Sequence, residues 1–247
     1  MKPKLLLQDL IFSEDEFSDT KSIINKYFDA HEIETNKIFE AKHLGISNFR
    51  GSLSLARILG RDYKFANALQ WLSHFRSQTV SPAALFTDIK HALTLDFPLF
   101  IRPASPFKEF SGDVYTKEKF QQEYDYMVVS KNQNPGLICA FAAPVKIKKE
   151  WRLIFIDSRY LSSSQYMSEG DLNIKSSVPQ EVIEFGKQIA KDDYFTNVFN
   201  FILDIGETDS GLKLIEINGF ECSSFYGANL DKIYNAWANS ISSFSTR

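Results

Sequence analysis

The residues best suited to chemistry lie in one stretch, FILDIGETDSGLKLIEINGFECSSFY, residues 201–226. Phe201–Ile205 and Leu212–Asn218 are rich in branched and aromatic residues and predict two strands. Asp209-Ser210-Gly211 between them suits a three-residue hairpin loop, with glycine where a positive φ is needed. That loop sets Thr208 opposite Leu212 and Asp204 opposite Glu216. Side chains alternate along a strand, so Asp204, Glu216 and Asn218 share one face. Two carboxylates placed opposite each other repel, and Glu216 stands inside the apolar run Leu212–Ile217, where a buried strand is the natural reading. A hard cation with oxygen ligands removes the conflict, magnesium being the simplest candidate. The alternative is a face that is only solvated.

Three cationic side chains sit where they can serve such a centre. Phe97–Ile101 predicts a core strand that runs into Arg102, and a loop of small and polar residues follows, with Lys108 in it and Gly112 near its end. Two cations at a strand end and in a close-approaching loop can neutralise phosphate oxygens; the alternative is two solvated charges. Trp151–Asp157 predicts another strand, in which Arg152, Ile154 and Ile156 alternate with Trp151, Leu153 and Phe155. Arg152 at its polar start either points into a cleft or snorkels. Cys222 has no histidine or other base placed beside it, which argues against a thiol nucleophile.

The surrounding elements follow from pattern. Leu5–Phe12 predicts a first strand with Glu14-Asp15-Glu16 as its acidic exit, and helix spacing begins near Ser22. Residues 33–43 fit a strand or a helix. Phe65–Phe75 predicts a helix with Phe65, Leu69, Leu72 and Phe75 on one side. Ser81-Pro82 reads as a cap and first turn, predicting a second helix to about His91. Neither His74 nor His91 has a partner at ligand spacing, so both are read as surface or packing residues. Tyr115–Tyr126 predicts a helix, and Leu137–Val145 a buried strand that Pro144 ends or confines to an edge. Tyr160–Met167 predicts a strand, Val178-Pro179 opens a helix to about Lys191, and a last helix starts near Asn229.

A chain of 247 residues can bury a sizeable core in one large domain or two lobes. Its net charge of −3 supplies no global basic field, so no nucleic-acid partner is expected. Cys139 and Cys222 have neither metal nor disulfide spacing. No signal peptide or membrane span is expected, and the cytoplasm is the expected location.

FIRPASPFKEFSG, EWRLIFID and LDIGETDSGLKLIEINGFECSSFY occur in that order and cover much of residues 96–237. Together they resemble the ATP-grasp superfamily, in particular the clade of small bacterial and phage members with an arginine in place of the first nucleotide-binding lysine. The resemblance implies an α+β fold of two lobes with the nucleotide between them. An N-terminal α/β region would occupy residues 1–95, one lobe 96–147 and the other 148–247. ATP phosphates would meet Arg102 and Lys108, and the adenine edge would meet main-chain groups near Ala143 and Val145. Lys146 or Lys148, and Glu150, would also approach the nucleotide. Asp204, Glu216 and Asn218 would bind Mg2+, and Arg152 with Lys108 would carry the catalytic charge. The implied activity is ATP-dependent carboxylate–amine ligation through an acyl phosphate on an amino acid, peptide or protein, with Ser223, Ser224 and Tyr226 at the substrate. A phosphotransferase or a non-catalytic nucleotide-binding module on the same scaffold is the alternative.

Overall fold

The structure, a computed structural model, describes residues 2–9, 14–130 and 134–244. The described residues form three sheets. The first is parallel, with β1 (Lys4–Gln8) between β2 (Asp29–Ile33) and β3 (Phe49–Arg50). Leu5, Leu6 and Leu7 are all buried, because both faces of this strand are covered. Residues 10–12 of the expected first strand lie outside the described residues. Glu14-Asp15-Glu16 does not end that strand; it opens α1 (Glu14–Tyr27). The ambiguous segment divides into β2 and a 3-10 helix, Thr35–His43. Ser52 caps α2 (Leu53–Ile58) by accepting from the Leu55 amide at 3.2 Å.

The expected helix at 65–75 shortens to α3 (Ala68–His74), capped by Asn67. Its buried side is Ala68, Trp71 and Leu72, at i, i+3 and i+4, which turns Leu69 outward. The helix expected after Ser81-Pro82 does not form. Those residues make a turn, closed by the Ala84 amide on the Ser81 carbonyl, and the chain then enters β4 (Leu85–Asp88). Sheet pairing outweighs the local cap signal here. Leu85–Asp88 ladders antiparallel to Phe141–Ile138, and Phe86 packs on the core.

The second sheet is antiparallel and contains β4, β5 (Leu99–Pro103), β6 (Asp113–Tyr115) and β7 (Ile138–Ala142) in the order β4-β7-β5-β6. β7 stops before Pro144, as its missing amide requires. Phe120 of α4 (Lys117–Asp125) packs with Ile101, Tyr115 and Phe141 beneath this sheet. β4 precedes residue 96, so the sheet of the first lobe draws a strand from before the expected boundary.

The third sheet is antiparallel, order β10-β9-β8-β11-β12. Its strands are β8 (Lys149–Ile156), β9 (Arg159–Ser168), β10 (Asp171–Lys175), β11 (Phe201–Thr208) and β12 (Gly211–Gly219). On one face Trp151, Leu153, Phe155, Phe201 and Leu203 pack with Val182 and Ile189 of α5 (Gln180–Ala190) and with α3. On the other, Ile154, Ile156 and Ile202 pack with Tyr234 and Trp237 of α6 (Leu230–Phe244), and with Leu5, Leu7 and Phe28. The N-terminal region and the last sheet thus share a core. Among the described residues no helix is long and apolar enough to cross a membrane.

Candidate active site

The second face of the five-stranded sheet is apolar where α6 covers it and charged farther along. Arg152 stands two residues before Ile154 on β8, and Asp204 two residues after Ile202 on β11. Asp204 pairs with Glu216, as expected, although the hairpin reaches that register by a different route. Its tip pairs Thr208 with Gly211 rather than with Leu212, and the register shifts again between Asp204 and Ile205. The second irregularity, a bulge, offsets the first and returns Glu216 and Asn218 to the face of Asp204. Gly211 does take the expected positive φ, 96°.

The two carboxylates are joined by an amide and flanked by three cations. Asn218 Nδ2 donates to Asp204 Oδ2 at 3.0 Å and to Glu216 Oε2 at 2.9 Å. Arg152 holds Asp204 in a fork, Nε to Oδ1 at 2.8 Å and Nη2 to Oδ2 at 2.7 Å. Its Nη1 donates to the Ser224 carbonyl at 2.9 Å, tying the segment after β12 to the same charge. Arg102 pairs with Glu216 Oε1. Lys108 Nζ lies 2.9 Å from Glu216 Oε2 and 2.8 Å from Asn218 Oδ1. Three cations against two carboxylates leave one net positive charge among these five groups. The repulsion read from sequence is thus answered, in this conformation, by the protein's own cations.

The charge states follow from these partners. Burial alone would raise the Glu216 carboxyl, but Arg102, Lys108 and the Asn218 amide hold it well below the usual carboxylate range. Burial works against the Arg152 charge, yet Asp204 outweighs it and keeps the guanidinium protonated. Glu150 shifts the other way: burial raises it, although the Tyr166 hydroxyl donates to its carboxylate.

Two cavities meet at this charged layer. The larger, about 340 Å3, lies between the two antiparallel sheets, within the size range of small-molecule sites. Phe100, Ala140 and Ala142 line one side, Trp71 and Leu72 of α3 another, and Ala143, Val145 and Glu150 are in its wall. The smaller, about 140 Å3, is lined by Arg152, Asn218, Ser105, Ser223, Ser224 and Tyr226. Arg102 and Lys108 border both. Lys146 and Lys148 border neither. They alternate with Val145 and Ile147, which do face the larger cavity, and pair instead with Glu169 at 2.9 Å and Asp209 at 2.8 Å.

Sequence reasoning missed several contributors. Tyr166 of β9 stacks on Tyr226 with ring centroids 4.8 Å apart, and the Arg152 guanidinium carbon lies 5.4 Å and 5.0 Å from the two centroids. Alternation offered a signal for it, since Arg152 faces Ser164 and Tyr166 is two residues on. Trp71 packs beside Arg102, 5.5 Å from ring centroid to guanidinium carbon. Arg50 is buried and donates to the carbonyls of Phe220, Glu221 and Ser223 at 2.9–3.0 Å, which fixes the segment carrying Ser223 and Ser224. Nothing in its local sequence announces that role. Burial pushes the Cys222 thiol up to about 12, in keeping with its reading as an unreactive residue. His74 is exposed and accompanied: its Nε2 lies 2.7 Å from Asp192, with Asp193 close by.

Comparison with known proteins accounts for this architecture. The fold is that of the ATP-grasp proteins. D-alanine–D-alanine ligase from Bacillus anthracis, solved with ATP, aligns at TM-score 0.58 and 11% identity over 100% of this chain and 99% of that one. D-cycloserine synthetase DcsG aligns at 0.59 and 12%, over 98% and 99%. A RiPP-associated ATP-grasp ligase from Chryseobacterium gregarium, in complex with ADP and a leader and core peptide, aligns at 0.53 and 11%, over 98% and 97%. Among curated proteins none matches the sequence. The ATP-grasp domain of R2K clade family 2 matches residues 75–236, and the chain belongs to that family.

Proposed function

We propose that this protein is an ATP-dependent ligase that activates a carboxylate as an acyl phosphate and joins it to an amine, on an amino acid, a peptide or a protein, in the cytoplasm. One observation carries the reading. A cavity of nucleotide scale and a small polar cavity share a single charged layer, so a phosphoryl group passing between them stays among the same side chains. The ATP and ADP complexes of the structural neighbours support a nucleotide ligand, and of the two cavities the larger has the room for it.

The roles follow from position. Main-chain groups near Ala143 and Val145 meet the adenine edge, and Glu150 meets the nucleotide from the same wall. Arg102 and Lys108 offset the charge of the transferring phosphoryl group. The substrate carboxylate sits in the smaller cavity, against Arg152, Ser223, Ser224 and Tyr226. Its oxygen attacks the γ-phosphorus, the bond to the β-phosphate oxygen breaks, and ADP leaves. The amine nitrogen then attacks the acyl carbon, phosphate departs, and the amine proton passes to phosphate or water. Arg152, held by Asp204, stabilises the oxyanion that forms. Asp204, Glu216 and Asn218 fit a hard cation by donor type, with two carboxylates and an amide oxygen on one face. Magnesium bound there would offset phosphate charge. Lys146 and Lys148 are left out of the nucleotide shell, since their partners lie on the outer surface. The working division of the chain is residues 1–95, 96–147 and 148–247, with β4 contributed to the middle unit.

Thermal unfolding with ATP, magnesium, or both tests this directly, because a ligand of the folded state raises the midpoint. A rise that requires both is expected, and Glu216→Ala or Asn218→Ala should abolish it along with ADP release while leaving the protein folded. Full turnover in both variants would sink the metal assignment. A stable phosphorylated product, detected by mass, would favour a phosphotransferase instead.

A further inference from the structure

Every oxygen proposed above to hold the metal is already engaged by the protein itself. Both Asp204 oxygens accept from Arg152, and Oδ2 also accepts from the Asn218 amide. Glu216 Oε1 is paired with Arg102. Glu216 Oε2 and Asn218 Oδ1 both receive the Lys108 ammonium, at 2.9 and 2.8 Å. An ammonium bridging two hard oxygens stands where a small hard cation is expected to bind. The five charged groups already sum to one positive charge, so a dication arriving alone meets repulsion. A nucleotide arriving with its polyphosphate reverses the sign.

Of the three cations, Lys108 is the one able to leave. Arg102 is fixed on β5 with a side chain only 11% exposed, and Arg152 is buried in its fork with Asp204. Lys108 lies in the loop between β5 and β6, and its side chain is 37% exposed. Its backbone takes a left-handed φ of 47°, an uncommon conformation for a residue other than glycine. Lysine is a point charge on a flexible stem, and it can exchange one set of oxygens for another without the planar matching that a guanidinium fork requires.

We propose that Lys108 is a tethered cation that fills the metal position between Glu216 and Asn218 and is drawn off only by nucleotide phosphates, so that metal and nucleotide enter together. This rests on the nucleotide and metal reading above, and it makes the two ligands mutually dependent through one side chain.

The test uses the full chain and Mn2+ as the probe, with free Mn2+ read by its paramagnetic resonance signal. Without nucleotide, wild-type protein is expected to leave Mn2+ free, and Lys108→Met to bind one ion at least about tenfold more tightly, the repulsion of one unit charge having been removed. Adding Glu216→Gln to Lys108→Met should abolish that gain, which separates this site from the surface group around His74. Lys108→Arg keeps the charge and should keep the exclusion. With a non-hydrolysable ATP analogue, wild-type protein should take up Mn2+. The inference is overturned if wild-type protein binds Mn2+ without nucleotide as tightly as Lys108→Met, or if Lys108→Met gains nothing. Failure of wild-type protein to bind the analogue under any condition overturns the nucleotide reading as well, which distinguishes the two failures.

Discussion

One face of the five-stranded sheet has two unlike ends. Under α6 it presents Ile154, Ile156 and Ile202; farther along it presents Arg152 and Asp204 on the same two strands and Glu216 and Asn218 on β12. The β8–β11 ladder runs unbroken through both, so the backbone does not decide which end is apolar. The cover decides. A helix supplies side chains that exclude water at one end. At the other, β5 and its loop bring Arg102 and Lys108, and the carboxylates are buried only because cations come with them.

The largest effect expected from breaking this contrast is at Arg152. Arg152→Met strands Asp204 as a buried unpaired carboxylate, which should cost about 3–5 kcal/mol of stability and remove ligation. Denaturant unfolding with and without ATP checks both. A smaller loss, about 2–4 kcal/mol, is expected for Ile154→Ala at the apolar end, where a cavity replaces a packed side chain. Because that end touches no proposed ligand, the rise in melting temperature caused by ATP with magnesium should survive in Ile154→Ala. Its disappearance would mean that the two ends are coupled.

The smallest and most specific effect is in pH. Glu216 is depressed, so its contribution is present above the unfolded carboxylate value near 4.5 and is lost as pH falls below it toward the folded value. Glu221, five residues on, is raised by burial despite accepting from the Tyr63 hydroxyl at 3.1 Å. Its contribution has the opposite sign: it is complete below about 4.5 and is lost as pH rises through the folded value. Melting temperatures of Glu216→Gln and Glu221→Gln against pH should therefore depart from wild type with opposite slopes. Parallel slopes would show that the two environments do not differ as described.

Much of the charged end was legible in the chain because period-two alternation is local. It put Asp204, Glu216 and Asn218 on one face, and Arg152 with Ile154 and Ile156. What escaped depends on distant partners. β4 forms because β7, some fifty residues later, offers it a ladder, and the Ser81-Pro82 signal is weak against that. Arg50 acts on main-chain carbonyls about 170 residues away, and carbonyls leave no mark in a sequence. The direction of Lys146 and Lys148 depends on the parity of their segment, which no local pattern sets, and neither borders the two cavities. The hairpin's compensating bulge was equally hidden, since only the sum of its two irregularities reaches Glu216.

The core shared by the first and last parts of the chain bears on where the molecule can be cut. Residues 75–236 correspond to the recognisable family domain, but excising them would remove Leu5, Leu7, Ile24 and Phe28 from their packing against Ile154, Ile202 and Tyr234. It would also take Trp71 from the larger cavity and Arg50 from the carbonyls it holds. The matched pattern is thus smaller than the set of residues that pack together, and a fragment trimmed to it would carry the charged layer on a sheet stripped of β1 and α1 on one face.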